Sequence, residues 1–167
     1  MNEYSLRGWN TFEQREELFM KAQFIENPET WASEFEFFVE VKVRFSETDM
    51  YGHLNNTVPF TYFELARIEY LQSTGIMKDW DSKNSETIIV VADLQCNFLR
   101  QAFFNDKIKI FVKAASVGSS SIDIHYLGKN ENDEPVFVGR GALVQISTKT
   151  GKSVPFTEEE KKILLGK

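Results

Sequence analysis

The chain has 167 residues, enough for one domain that buries roughly 70% of its unfolded surface. Its 19 Lys and Arg against 25 Asp and Glu leave a net charge of −6, which argues against nucleic acid or an anionic membrane as the main partner. One cysteine excludes an internal disulfide, and the two histidines lie far apart without zinc-ligand spacing, so neither a metal nor a cofactor is expected.

Residues 1–34 read as a helical extension that packs on a main body formed by residues 35–167. Thr11 and Gln14 have capping-box spacing at the start of TFEQREELFMKAQF, with Phe12, Phe19 and Met20 as its buried side. The opening MNEYSLRGWN lacks the apolar segment of a signal peptide, and the longest aliphatic run, Ile88 to Ala92, is too short to span a bilayer. A cytoplasmic location without a membrane anchor is therefore expected. Asn27-Pro28 reads as an interruption before the first strand. In that strand Phe37, Val39, Val41, Val43 and Phe45 alternate with Phe38, Glu40, Lys42 and Arg44, the period of a half-buried strand.

The stretch Glu47 to Gly75 organises the rest. A polar loop is followed by a helix in which Asn56 or Thr57 is the N-cap, Pro59 sits in the first turn and Gly75 is the stop. Val58, Phe60, Tyr62, Phe63, Leu65, Ala66, Ile68, Tyr70 and Leu71 make this helix apolar nearly all round, which predicts that something wraps it. The wrapping comes from β-rich segments at Thr87–Leu99, Lys107–Val117, Ser121–Leu127 and Val136–Ser147. Cys96 falls in the alternation Val90, Ala92, Leu94, Cys96, Phe98 as a small core residue. Turns are expected at Asn105-Asp106, Gly118 to Ser120 and Lys129 to Glu134, and Gly139 and Gly141 predict a bulge or a close backbone approach. Thr157 and Glu160 form a capping box ahead of a short helix, Lys161 to Leu165. One helix among five strands makes an α+β layer.

The chemistry concentrates in the loop. Asp49, beside Gly52 and His53, is either a turn former or a reactive carboxylate, and a carboxylate can act as base or as nucleophile. His53 reads as a group that positions Asp49, as a proton donor, or as a structural loop residue. Asn55 and Asn56 hold the loop or orient water, and Tyr51 is pocket wall. Glu64 and Arg67 have the i, i+3 spacing of an ion pair. His125 alternates with Ile122, Ile124 and Tyr126 so as to face solvent or a neighbouring subunit. No Gly-rich phosphate loop is present, which leaves Arg100, Lys107, Lys109, Lys113, Lys129 and Arg140 as candidate phosphate cations.

A strand followed by ETDMYGHLNN and then YFELARIEYL resembles the hotdog-fold thioesterases of the 4-hydroxybenzoyl-CoA type, a superfamily that includes acyl-ACP thioesterases. The likeness runs from about Phe35 to Phe156. It implies an antiparallel sheet of about five strands wrapped around a long central helix. It implies hydrolysis of acyl-CoA or of an acyl carrier protein thioester, with Asp49 as the catalytic carboxylate and His53 beside it. The backbone N–H of Asn56 then polarises the thioester carbonyl at the helix N-terminus. Tyr51, Gly52, Asn55, Pro59, Phe60 and Glu64 would contact substrate, and Glu64 doubles as an alternative catalytic acid. At Pro59 many relatives carry an aromatic residue, which alters how the first helical turn lines an acyl pocket. A homodimer or homotetramer is implied. Two rivals remain open: a hotdog hydratase or dehydratase, whose D-x-N-P-x-H pattern is missing here, and a non-catalytic acyl-CoA-binding protein of the same fold.

Overall fold

Alternating apolar residues generate a single sheet, and the computed structural model describes it within residues 22–77 and 85–166. Five antiparallel strands, β1 (Phe37–Lys42), β2 (Thr87–Phe98), β3 (Lys107–Val117), β4 (Ser121–Asn130) and β5 (Pro135–Ser147), lie in the order β1-β3-β4-β5-β2. The described helices are α1 (Pro28–Ser33), α2 (Val58–Ser73) and α3 (Glu158–Leu164). The third strand matches its expected span, while β4 runs on from Leu127 to Asn130. The β4–β5 turn is correspondingly tight, closed by the Asn130 N–H donating to the Glu134 carbonyl at 3.0 Å.

One face of the sheet carries the main core. Phe63, Ala66 and Leu71 of α2 pack with Ile108, Ile110 and Val112 of β3, Ile122, Ile124 and Tyr126 of β4, and Phe137 and Leu143 of β5. Each Leu, Ile, Val or Phe side chain among them contributes about 1.5–3 kcal/mol by leaving water. Phe63 stacks on Tyr126 with ring centroids 4.3 Å apart. Gly139 is what lets it lie there, since a Cβ at this position would sit 2.5 Å from the Phe63 ring. The glycines of β5 thus mark close approach. The register shifts fall elsewhere: between Ala114 and Ser116 on β3, between Gly128 and Lys129 where β4 meets β5, and, on β2, between Val91 and Asp93. That shift breaks the alternation expected there. Ile89 before it and Leu94 and Cys96 after it pack on the core, while Ala92 is exposed. Burial pushes the Cys96 thiol up to about 12, as suits a core residue.

Three further expectations are corrected. The long helix is not enclosed: Pro59, Tyr62, Phe63, Ala66, Arg67 and Leu71 are buried, but Thr61, Glu64 and Leu65 are exposed. Asn27-Pro28 starts a helix, because the Asn27 side chain accepts the Thr30 N–H at 3.0 Å and Pro28 fits the first turn. Phe45 does not continue β1; the strand stops at Lys42 and a 3-10 turn, Phe45–Glu47, leaves that ring 77% exposed. The helix stops follow the sequence more closely. Gly75 takes φ +76 just past α2, and the Thr157–Glu160 capping box opens α3 at Glu158, three residues ahead of the expected start.

The opposite face of the sheet is covered by the chain's own arm. Ala22, Ile25, Trp31 and Phe35 pack on Leu99, Leu127 and Val138 in a second cluster. The helix expected from Thr11 lies outside the described residues but for its last few. Under this arm His125 is only 5% exposed, which corrects the solvent-facing or subunit-facing position expected for it. Among the described residues no helix is long and apolar enough to cross a membrane.

Candidate active site

Asp49 shapes its own loop. Its Oδ1 accepts the N–H of Tyr51 at 2.8 Å and of His53 at 3.2 Å, while its own N–H donates to the His53 carbonyl at 2.8 Å. Gly52 closes the turn from φ +79, a conformation that favours glycine. The turn-forming reading of Asp49 therefore holds, and it occupies one carboxylate oxygen. Oδ2 has no hydrogen-bond partner among the described residues.

His53 meets Asp49 through the main chain only. Its ring packs edge-on against Phe103 with centroids 5.2 Å apart, and a β-bridge joins the two residues. The imidazole makes no described hydrogen bond to the carboxylate.

The loop then runs into α2. Asn55 donates its N–H to the Glu47 carbonyl at 2.8 Å, and its Oδ1 accepts both the N–H and the hydroxyl of Thr57 at 3.1 and 3.0 Å. Thr57 is the N-cap by position, but its side chain caps nothing, and neither does that of Asn56. Asn55 does the side-chain work that the sequence assigned to its neighbours. The N–H of Asn56 has no acceptor among the described residues, and Asn56 is exposed at the helix start. A free donor there adds to the positive end of the helix dipole.

One tie was not foreseen. The Glu47 carboxylate accepts the Arg44 N–H at 2.8 Å and the Tyr62 hydroxyl at 2.7 Å, fastening the loop entrance to the second turn of α2. Burial and then this bond push the Tyr62 hydroxyl well above its ordinary range. Residues fifteen apart across a loop and a helix share no period, so the sequence carries no signal for the pair.

The other site candidates scatter. Tyr51 is 75% exposed, Pro59 is buried, and Phe60 meets Phe63 edge-on at 6.2 Å. Glu64 lies on the exposed side of α2. It does not pair with Arg67, whose Nη1 turns inward to the Tyr126 hydroxyl at 3.4 Å. Most of the candidate phosphate cations are already engaged: Arg100 with Glu134, Lys107 with Glu131, Lys113 with Glu34, Lys129 with Asp133 and Arg140 with Asp123. Lys109 lies over the Phe38 ring at 5.2 Å. Phe45, Met50, Tyr51, Phe103 and Phe104 form an exposed apolar rim around the loop. No cluster of described residues has the composition of a metal site.

An antiparallel five-stranded sheet with one long helix along a face, and a loop delivering a carboxylate to that helix's start, is the hotdog arrangement. The chain belongs to the thioesterase-like superfamily, whose family model matches residues 43–164. It is 48% identical over 143 residues to the uncharacterized protein YsmA of Bacillus subtilis, covering 85% of this chain and 95% of that protein. It is also 34% identical over 114 residues to the chloroplastic acyl-acyl carrier protein thioesterase ATL3 of Arabidopsis thaliana, covering 66% of this chain and 58% of that protein. Among solved structures, a thioesterase of Thermus thermophilus complexed with coenzyme A and zinc superposes with TM-score 0.66 at 33% identity, over 78% of this chain and 98% of that one. The DHNA-CoA thioesterase of Staphylococcus aureus superposes with TM-score 0.64 at 26% identity, over 71% of this chain and 78% of that one.

Proposed function

We propose that the protein is an acyl thioesterase that hydrolyses an acyl-CoA or acyl carrier protein thioester to the free acid and the thiol. The observation that carries the proposal is the pairing of two unspent groups in one short segment. These are the second carboxylate oxygen of Asp49 and the N–H of Asn56 at the start of α2. Asn56 N–H donates to the thioester oxygen as negative charge builds on it, backed by the helix dipole. Asp49 takes the proton of an attacking water, or attacks the acyl carbon itself; either route needs its free oxygen. The C–S bond then breaks and the thiolate leaves. On the general-base route it takes up the proton that Asp49 gained from water. On the nucleophilic route a water then hydrolyses the acyl–Asp49 anhydride to the free acid, and its two protons are shared between the thiolate and bulk solvent. The apolar rim of Phe45, Met50, Tyr51, Phe103 and Phe104 receives the acyl chain.

Assembly is part of the same proposal. β2 is a twelve-residue edge strand with Ile88, Val91 and Phe98 exposed, and an edge of this kind favours pairing with a second copy. We take the active form to be a homodimer or homotetramer acting in the cytoplasm. The direct test is thiol release by the full chain from a panel of acyl-CoA and acyl carrier protein substrates. Turnover of at least one donor is expected. Binding without thiol release would leave a non-catalytic acyl-CoA protein, and an intact but hydrated thioester would indicate a hydratase.

A further inference from the structure

The outer face of the sheet holds a second polar site, remote in topology from the Asp49 loop. One cross-strand row runs through Lys113 of β3, His125 of β4, Arg140 of β5 and Gln95 of β2, each directly opposite the next. A cleft of about 640 Å³ opens over it, with Gln95, Asn97, Asp123, His125, Arg140 and Phe24 in its lining.

The donors in this cleft are specific. His125 Nδ1 accepts the Trp31 indole N–H at 2.8 Å. An indole N–H only donates, so Nδ1 carries the lone pair and the neutral ring has its proton on Nε2. That Nε2–H is buried and has no acceptor among the described residues. Asp123 Oδ1 lies 3.6 Å away, beyond hydrogen-bond reach, and already accepts Arg140 Nε at 2.7 Å. Arg140 uses only Nε in this contact, and its two Nη groups have no partner among the described residues. Lys113 contributes nothing to the cleft, being held by Glu34 and by the Trp31 carbonyl. A protein rarely buries an imidazole donor and leaves it unsatisfied.

We propose that this cleft binds a small carboxylate, one oxygen on His125 Nε2–H and the other on an Arg140 Nη, with its apolar body against Phe24. A planar two-oxygen acceptor matches a guanidinium beside a second donor. Asp123 and Asp93 both act on the Arg140 charge, which leaves too little positive charge for a phosphate dianion and makes a singly charged group the better fit. Gln95 and Asn97 add amide donors at the rim on β2. The site stands on its own geometry and needs no catalytic activity. Should the thioesterase reading hold, the free acid it releases belongs to this ligand class.

The Trp31 indole N–H reports the ring it touches, so the test is two-dimensional ¹H–¹⁵N NMR of the full chain, with that peak assigned through Trp31→Phe. Titration with benzoate at pH 7.5 should shift the peak saturably, and inorganic phosphate should bind more weakly. Arg140→Gln and, at the exposed rim, Gln95→Glu should each weaken benzoate by about tenfold or more, with the ligand-free spectrum still that of a folded chain. Four results overturn the proposal: a linear, non-saturating shift; unchanged affinity in both variants; phosphate binding tighter than benzoate; or contacts from residues 1–21 to the His125 ring, which would show the chain filling its own cleft.

Discussion

Acidification should loosen the protein at one identifiable point, the His125–Trp31 contact. Burial is the main cause that pushes His125 down to about 4, with Asp123 opposing it and Lys113 and Arg140 adding to it. The folded state therefore favours the neutral ring, whereas the unfolded chain protonates near the ordinary value of about 6.5. The stability tied to this group is complete above pH 6.5 and is lost as the pH falls towards 4. A gap of that size corresponds to about 3 kcal/mol in full, of which about 2 to 3 kcal/mol is gone by pH 4.5. Geometry gives the same sign. A proton on Nδ1 would face the Trp31 indole N–H at 2.8 Å, donor against donor, and release the arm that carries α1. Urea unfolding followed by circular dichroism at pH 7.5 and 4.5 isolates the effect when wild type is compared with His125→Gln. Glutamine keeps an acceptor for Trp31 but does not titrate. Wild type should lose about 2 kcal/mol more than the variant over that interval. Parallel losses in the two proteins would refute the reasoning.

Other consequences follow from single contacts. Gly139→Ala places a Cβ 2.5 Å from the Phe63 ring, and should destabilise the fold by about 1–3 kcal/mol in the same urea assay. His53→Ala should lower turnover only modestly, because His53 holds Asp49 through its backbone N–H and carbonyl, which alanine keeps; a loss as large as that of the carboxylate itself would make the imidazole a proton donor. Light scattering at micromolar concentration should give at least twice the 19.4 kDa chain mass, and a monomer would contradict the pairing of β2 edges.

What the sequence made legible is what depends on neighbours in the chain. The span of β3, the Gly75 stop and the Thr157–Glu160 capping box were all readable, because period and capping are local chemistry. The β2 bulge was not: one extra residue near Ala92 reverses every later side chain, yet the β-branched run around it looks the same either way. His125 failed for a different reason. Alternation assigns it correctly to the face opposite Ile124 and Tyr126, but cannot say that Trp31 and Phe24 cover that face. Within the site, Asp49, Gly52, His53, Asn55 and Asn56 do converge in one loop. The division of labour among them was hidden, since which asparagine caps and which amide stays free depends on the Glu47 carbonyl and on the path of the turn.

Asp49→Asn tests the central claim most directly. The amide keeps an Oδ1 that can accept the Tyr51 and His53 N–H groups, so the turn should survive, while the oxygen needed as base or nucleophile is replaced by NH2. In a free-thiol assay on the best acyl donor, the variant should still bind substrate but turn over roughly 100-fold or more slowly than wild type. Glu64→Gln, on the exposed side of α2, should remain active. Near wild-type hydrolysis by Asp49→Asn alongside a dead Glu64→Gln would contradict the account and move the chemistry to the helix carboxylate.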